Sequence, residues 1–422
     1  MTRPLTKDVI DIDLFDPRTF GGGIPYEAFA ALRAHAPVAF HEEKPKREGG
    51  RPGPGFWCLT RHADVHYASV HPELFSSYLG GFTSADISGA VLDETRLNLM
   101  GMDPPDHTAL RRAIREPFSP RMVSGLGPAI ESFASRVIDQ VVADAAPGDT
   151  LTFDFVTEVA AELPLLVLSH LLGVPEADRG LFFDWSNQII GNHDPDFGGT
   201  IADFLRAKDE IFAYAQKITE EKRLRPSDDL ISHVIAAEIG GKPLEDQTIV
   251  VLWFLLLIAG NETTRSSLTG AMEMLSTHPE QRALLMSDLD TNVPLFIEEM
   301  LRITNPVLHF RRTATQDIDI GGAQIKAGEK VLLWYPSANR DETVFERPNE
   351  FDLTRQPNQH LAFGVGTHFC LGARIGRLSI RTMLREVLTR LPDIEVCGEP
   401  QRLHSMFLSG AKSLPVEASS PA

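Results

Sequence analysis

The chain has 422 residues, 43% of them hydrophobic, and 40 Lys and Arg stand against 58 Asp and Glu for a formal net charge of −18. That apolar content can fill a large core, and the acidic balance excludes a general affinity for nucleic acid. Three cysteines, Cys58, Cys370 and Cys397, are too few and too odd in number for a disulfide framework and point to a reducing, cytoplasmic setting.

The N-terminal MTRPLTKDVIDIDLFDP lacks an apolar run, so neither a signal peptide nor an anchor is expected, and residues 1–24 read as an extended polar lead. Pro37–Phe40 and Phe56–Thr60 read as two strands of a hairpin. The Pro-, Gly- and charge-rich HEEKPKREGGRPGPG between them is expected to be a floppy surface loop. Residues 76–102 show no period and read as one long loop of the kind that carries function.

From Pro104 to about Ala236 apolar residues recur at three- and four-residue spacings, so helices dominate. Within this tract MDPPDHTALRR opens a helix with prolines in its first turn and sets His107 and Arg111 on one face. One long helix is expected from about Leu244 to Ser276; at 1.5 Å per residue it spans roughly 45 Å, enough to cross a domain. Its most apolar run, Ile249–Gly260, has 12 residues, short of the roughly 20 that span a bilayer, so a core helix is expected rather than a membrane segment. Another helix follows at about Pro294–Ile303, then short strands and Gly turns over Phe310–Asp341. A last long helix runs from Leu371 to about Leu391, and short strands close the chain. The expected fold is mainly α with small β-sheets, one domain over residues 25–416 with a tail at 417–422.

Three stretches carry chemistry. HLAFGVGTHFCLG (His360–Gly372) places Cys370 in front of a helix, where the dipole and free N–H groups favour a thiolate. Gly364, Gly366 and Gly372 let the backbone turn and approach a flat ligand. A lone thiolate is poor for zinc, which takes four ligands, and suits one axial position on haem iron. A structural cysteine in a Gly-rich turn stays open, and so does a protease nucleophile, though no His–Asn partner text appears. AGNETT (Ala259–Thr264) puts a carboxylate, an amide and two hydroxyls into the apolar middle of the long helix. Burying them costs energy unless they find partners, and hydroxyls can bond back to carbonyls beside Gly260. The stretch is either a kink with self-satisfied polar groups or an oxygen-binding groove. In EEMLR, Glu299 and Arg302 sit three apart and can pair, at the surface or inside.

Phe363-Gly364-x-Gly366-x-His368-x-Cys370-x-Gly372 resembles the haem-binding signature of the cytochrome P450 monooxygenases, and the likeness runs from about residue 25 to 416. The resemblance implies the cytochrome P450 fold, with the long helix crossing over haem b and Cys370 as axial thiolate. Phe363, Gly364, Gly366, Gly372 and Ala259 would border the cofactor. His107, Arg111, Arg312 and His368 would meet its propionates, with His360 a further candidate. Thr263 and Glu262 would be the alcohol and acid that deliver protons for O–O cleavage. Glu299 and Arg302 would be the family's structural pair. One departure stands out: in RPNEFDLTR, Glu350 occupies the position expected of the third, arginine arm, which leaves that arm to Arg355 or to a residue of another loop.

On the substrate side Leu256, Val307, Leu308, Phe407 and Leu408 are candidate pocket residues, under a roof helix at Phe182–Ile190, though core packing is open for each. They imply a bulky hydrophobic substrate placed by shape. LMGMDPPDH, AGNETTR and FLSGAKSLPV look most like bacterial members that hydroxylate steroids, terpenoids and methyl-branched lipids. Arg111, Arg112, Arg115 and Arg121, with Arg374, Arg377 and Arg381, form either a docking patch for an acidic electron carrier or an ordinary solvated face. The resemblance implies a monomeric enzyme away from membranes, using O2 and electrons from NAD(P)H through a separate ferredoxin and ferredoxin reductase. A hydrogen-peroxide-driven peroxygenase is one rival, although such members usually lack the acid–alcohol pair. A non-enzymatic haem sensor or carrier is the other.

Overall fold

The longest apolar stretch folds as a helix over Asp246–Thr277, here called the central helix, in a computed structural model that describes residues 4–45, 51–191, 194–197 and 200–421. His278 ends it with φ −130° and ψ 71°, because the following Pro279 disfavours an α conformation in the residue before it. By length and composition this helix could cross a membrane, but Trp253, Leu257, Leu268 and Met272 are buried among other helices of the same chain. One half packs with the roof helix Arg179–Ile190 and the helix Ile201–Leu224, in a cluster of Phe182, Trp185, Ile211, Trp253 and Leu257. The other half packs with Gly127–Val142, Leu289–Thr304 and Ala373–Arg390 through Val137, Met272, Met300 and Met383.

Beside the helices lies one sheet of β1 (Val38–His41), β2 (Phe56–Leu59), β3 (Phe75–Ser76), β4 (His309–Ala314) and β5 (Lys330–Trp334), in the order β1-β2-β5-β4-β3. Only the β2–β5 pair is parallel. In the β4–β5 pair Arg311 lies opposite Leu332 and Thr313 opposite Lys330. Strand alternation therefore places Arg311, Thr313 and Lys330 on one face and Phe310 and Arg312 on the other.

The expected hairpin, long helix, roof helix and closing helix are all present, with ends shifted by up to three residues. Five details differ. The N-terminal lead is not free: Ile10, Leu14 and Phe20 are buried against Phe29 and Trp334. The β1–β2 excursion is anchored by Glu43, whose carboxylate is fully buried against Lys330, while residues 46–50 of it lie outside the described residues. The 76–102 stretch contains a helix, Ala90–Thr95, and a 3-10 turn, Leu99–Gly101. The helix read from Pro294 begins at Leu289, because the Asp288 side chain accepts from the N–H groups of Asp290 and Thr291, and a separate helix, Pro279–Ser287, precedes it. Finally, Pro415–Ser419 is a strand paired with Thr150–Asp154, so three residues of the expected tail are in a sheet.

Candidate active site

Cys370 lies between a 3-10 turn, Gly366–His368, and the helix that begins at Ala373. Its N–H donates to the Phe363 carbonyl at 2.8 Å, closing the loop on itself. Gly364 and Gly366 have φ of 69° and 72°, and a Cβ on Gly366 would stand 2.7 Å from the Ser69 carbonyl oxygen, so a side chain is excluded there on both counts. Burial pushes the Cys370 thiol up, while the N–H groups of Gly372 and Ala373 and the charges of Arg111 and Arg377 pull it down. Cys58 differs in kind: it is sealed inside β2 and its thiol is pushed up to about 12. Cys397 is exposed.

Next to the loop, the His107 and His368 rings meet at a tilt of 54° with centroids 4.4 Å apart. All four of their ring nitrogens are buried without a hydrogen-bond partner. Burial, with the charges of Arg111 and Arg312 close by, lowers His107 to about 4 and His368 well below its ordinary value. Arg312 is itself buried, and its side chain donates from Nη1 to the Arg311 carbonyl at 2.8 Å. Arg312 and the two unpartnered imidazoles form a buried donor set suited to an anion.

Leu256, Ala259 and Thr263 share one face of the central helix, at three- and four-residue steps. That face is the least covered part of the segment: Ala259 is exposed, and Leu256 and Thr263 are half-buried. Leu256 packs against the cluster that also receives Leu371 and Ile375 from the cysteine side, so helix and loop border the same region. The helix is continuous through AGNETT, and the hydroxyls of Thr263 and Thr264 bond back to the carbonyls of Ala259 (2.8 Å) and Gly260 (3.1 Å). Glu262 turns the other way. It is buried, its Oε1 is held by the Arg265 guanidinium, and Arg265 in turn donates to Asn187 Oδ1 of the roof helix at 2.9 Å. Its Oε2 has no partner.

The sequence profile of the cytochrome P450 family matches residues 182–408. A methyl-branched lipid omega-hydroxylase of Mycobacterium tuberculosis is 41% identical over 420 residues, 98% of this chain and 96% of the relative. This chain belongs to the cytochrome P450 family. A steroid C26-monooxygenase of Rhodococcus jostii is 37% identical, covering 96% of this chain and 84% of the relative. Among solved structures, a Mycobacterium marinum cytochrome P450 in complex with pseudoionone superposes with a TM-score of 0.88 at 35% identity, over 98% of this chain and 99% of that one.

As a cytochrome P450 the protein is an oxygen-incorporating oxidoreductase that carries haem b on a cysteine thiolate. The residues present fit that cofactor. Cys370 is the cysteine at a helix N-terminus in a glycine-shaped bed, and positions where a Cβ on Gly372 or Gly376 would stand open onto space, with nothing within 4 Å. The buried donors of His107 and His368 match propionates. Arg111 bends the other way from expectation: its Nη2 donates to the Phe369 carbonyl at 2.5 Å, under the cysteine loop. His360 does not join this set at all. It bonds to Glu298 at 3.0 Å, and Glu298 also takes two bonds from Arg377.

The Glu299–Arg302 pair is interior, with neither side chain exposed, and bidentate at 2.7 and 2.8 Å. Its third arm is Arg355, whose Nε reaches both oxygens of Glu299 at 3.0 and 3.2 Å. Glu350 points outward to Arg347 and contributes only its carbonyl, which accepts from Arg302 and Arg355. On the cysteine side, Arg111, Arg112, Arg115, Arg374 and Arg377 line a groove of about 800 Å³ with Phe369 and Cys370, whereas Arg121 and Arg381 are not among its lining residues.

On the opposite side Phe407 sets its ring against Phe310, centroids 5.6 Å apart, and Val307 bridges to Leu408. Leu308 is a correction: it is fully buried in the cluster with Leu14, Phe29 and Trp334, on the far side of the chain from its neighbour Val307. Leu408 is also buried. Sequence reasoning missed Arg265 and Asn187, the partners of Glu262. The Arg three residues after Glu262 was a visible signal; Asn187, 78 positions from Arg265, was not.

Proposed function

We propose that this cytochrome P450 hydroxylates an unactivated C–H bond of a bulky apolar molecule, a methyl-branched lipid or a steroid, with electrons delivered by a ferredoxin in a reducing cytoplasm. Haem, when bound, supplies the activation of dioxygen. Cys370 would hold its iron; Phe363, Gly364, Gly366 and Gly372 would shape the bed, and Ala259 would leave room for the group. His107, His368 and Arg312 hold the propionates, and Arg111 braces the loop through the Phe369 carbonyl.

The observation that carries the reading is the contrast within one short stretch of the central helix. An apolar face of Leu256 and Ala259 is broken by a single half-buried hydroxyl, Thr263, and backed by a buried carboxylate, Glu262. Such a face positions a substrate by shape and offers protons at one point. Thr263 presents its hydroxyl there, and Glu262, held through Oε1 by Arg265, keeps Oε2 unpartnered. The balance is one C–H bond, one dioxygen, two electrons and two protons giving an alcohol and water. The arginine-lined groove, which includes Cys370 in its lining, suits an acidic one-electron carrier.

The test is a spectral titration of the haem-loaded protein with a methyl-branched fatty acid and with testosterone, followed by turnover with NADPH, a ferredoxin and its reductase. A low-to-high-spin shift and hydroxylated product are expected. Turnover with hydrogen peroxide equal to that with the ferredoxin pair would sink the reading, as would an Arg112→Glu, Arg374→Glu variant with an unaltered ferredoxin KM.

A further inference from the structure

Two cations and two carboxylates gather on the sheet face opposite Arg312, and the proposed reaction uses none of them. Lys330 on β5 is buried; its Nζ contacts Glu43 Oε1 at 2.5 Å and both oxygens of Asp86 at 3.0 and 3.1 Å. Arg311 on β4, also buried, donates from Nη1 to Asp86 Oδ1 at 3.1 Å and to the Ala85 carbonyl at 2.7 Å. Lys330 reaches the Ser84 carbonyl at 3.0 Å, and the backbone N–H of Arg311 reaches the Phe82 carbonyl at 2.8 Å. Four successive handholds on the chain from Phe82 to Asp86 thus end on two residues of the sheet. Glu43 balances Lys330, and Asp86 supplies the counter-charge for Arg311. Both cations are desolvated while the Asp86 carboxylate is 36% exposed, so water screens the pair from one side only.

What this fastens is a wall. Phe310 lies on the other face of β4 from Arg311. The Phe82 ring meets it edge-on at 6.3 Å, and Phe310 then meets Phe407 at 5.6 Å. The chain before Phe82 is drawn tight against the same strand: a Cβ on Gly80 would stand 2.4 Å from Arg311 Nη2. The polar grip and the aromatic row are two sides of one segment.

We infer that Asp86 is a positioning residue that fixes Phe82 in the distal wall and so selects which apolar substrates fit. The inference rests on the reading above that Phe407 faces the substrate. Asp86→Asn in the haem-loaded protein tests it, since Asn keeps the volume and leaves Lys330 paired with Glu43. Amide exchange over residues 80–86 is expected to speed up by about tenfold or more, as local opening becomes easier. Affinity for 4-phenylimidazole, whose phenyl ring would extend from the iron toward the wall, should change by about tenfold, while that for imidazole, which needs only the iron, should stay within about twofold. Exchange equal to the parent's would overturn the inference, and so would faster exchange with both affinities unmoved. Phe407→Ala is the control: if it leaves 4-phenylimidazole binding unaltered, the substrate-facing reading fails, whatever Asp86 does.

Discussion

Replacing Glu299 by Ala should cost this protein more than any other single change to its charged groups. The carboxylate takes two bonds from Arg302, two from Arg355, one from Asn358 and one from the Asp352 N–H. Without it, two guanidinium groups, 0% and 7% exposed, face each other with backbone carbonyls and the Phe345 ring but no counter-charge. Breaking a buried pair from one side costs about 3–5 kcal/mol, against a total stability of about 5–15 kcal/mol for a domain. Arg355→Met is milder: Glu299 keeps Arg302, and the loss is of charge-assisted bonds, about 1.5–3 kcal/mol. Glu350→Ala removes only an exposed pair with Arg347, about 0–1 kcal/mol. Urea midpoints of the three haem-loaded variants, followed through haem absorbance and tryptophan fluorescence, should fall in that order, with little coloured protein recovered for Glu299→Ala. A Glu350→Ala midpoint as low as that of Arg355→Met would refute Arg355 as the third arm.

Cys370→Ser should lose the red-shifted Soret band of the reduced, CO-bound protein together with turnover; hydroxylation surviving the change would remove the thiolate from the account. Thr263→Ala should divert electrons to hydrogen peroxide, measured as product formed per NADPH, since positioned proton donors contribute roughly 10²–10⁴-fold; unaltered coupling would strip Thr263 of its role. Glu298 yields a pH prediction. Burial raises its carboxyl, but the bonds from Arg377 and His360 outweigh that and hold it at about 2, against an ordinary 4.5. A depressed carboxyl stabilises the fold fully above pH 4.5, and the contribution fades as pH falls toward 2. The midpoint difference between parent and Glu298→Gln should therefore be constant above pH 4.5 and shrink below it; a gap that widens on acidification would contradict the pairing.

Local rules carried the reading furthest. The Cys370 loop was legible because its glycines, cysteine and following helix are consecutive, and the central helix because its apolar run has no breaker before Pro279. The hairpin strands are short, continuously buried runs flanked by turn residues. Groups paired across long separations were not legible. Asp86 and Lys330 are 244 positions apart, and nothing in either neighbourhood marks the other. Glu43 sits in text that reads as solvated, yet its carboxylate is internal, because a cation on a distant strand waits for it. Leu308 and Val307 are adjacent letters that strand geometry sends to opposite sides. Arg355 was one of two openings left by Glu350, and only the bond to Glu299 chose between them.

The link from Asn187 through Arg265 to Glu262 joins the roof helix to a buried carboxylate of the central helix. A hydrogen bond tolerates only a few tenths of an ångström before it weakens. Shifting the roof helix outward will therefore also loosen the hold of Arg265 on Glu262, and a change made on one helix reaches the buried carboxylate of the other.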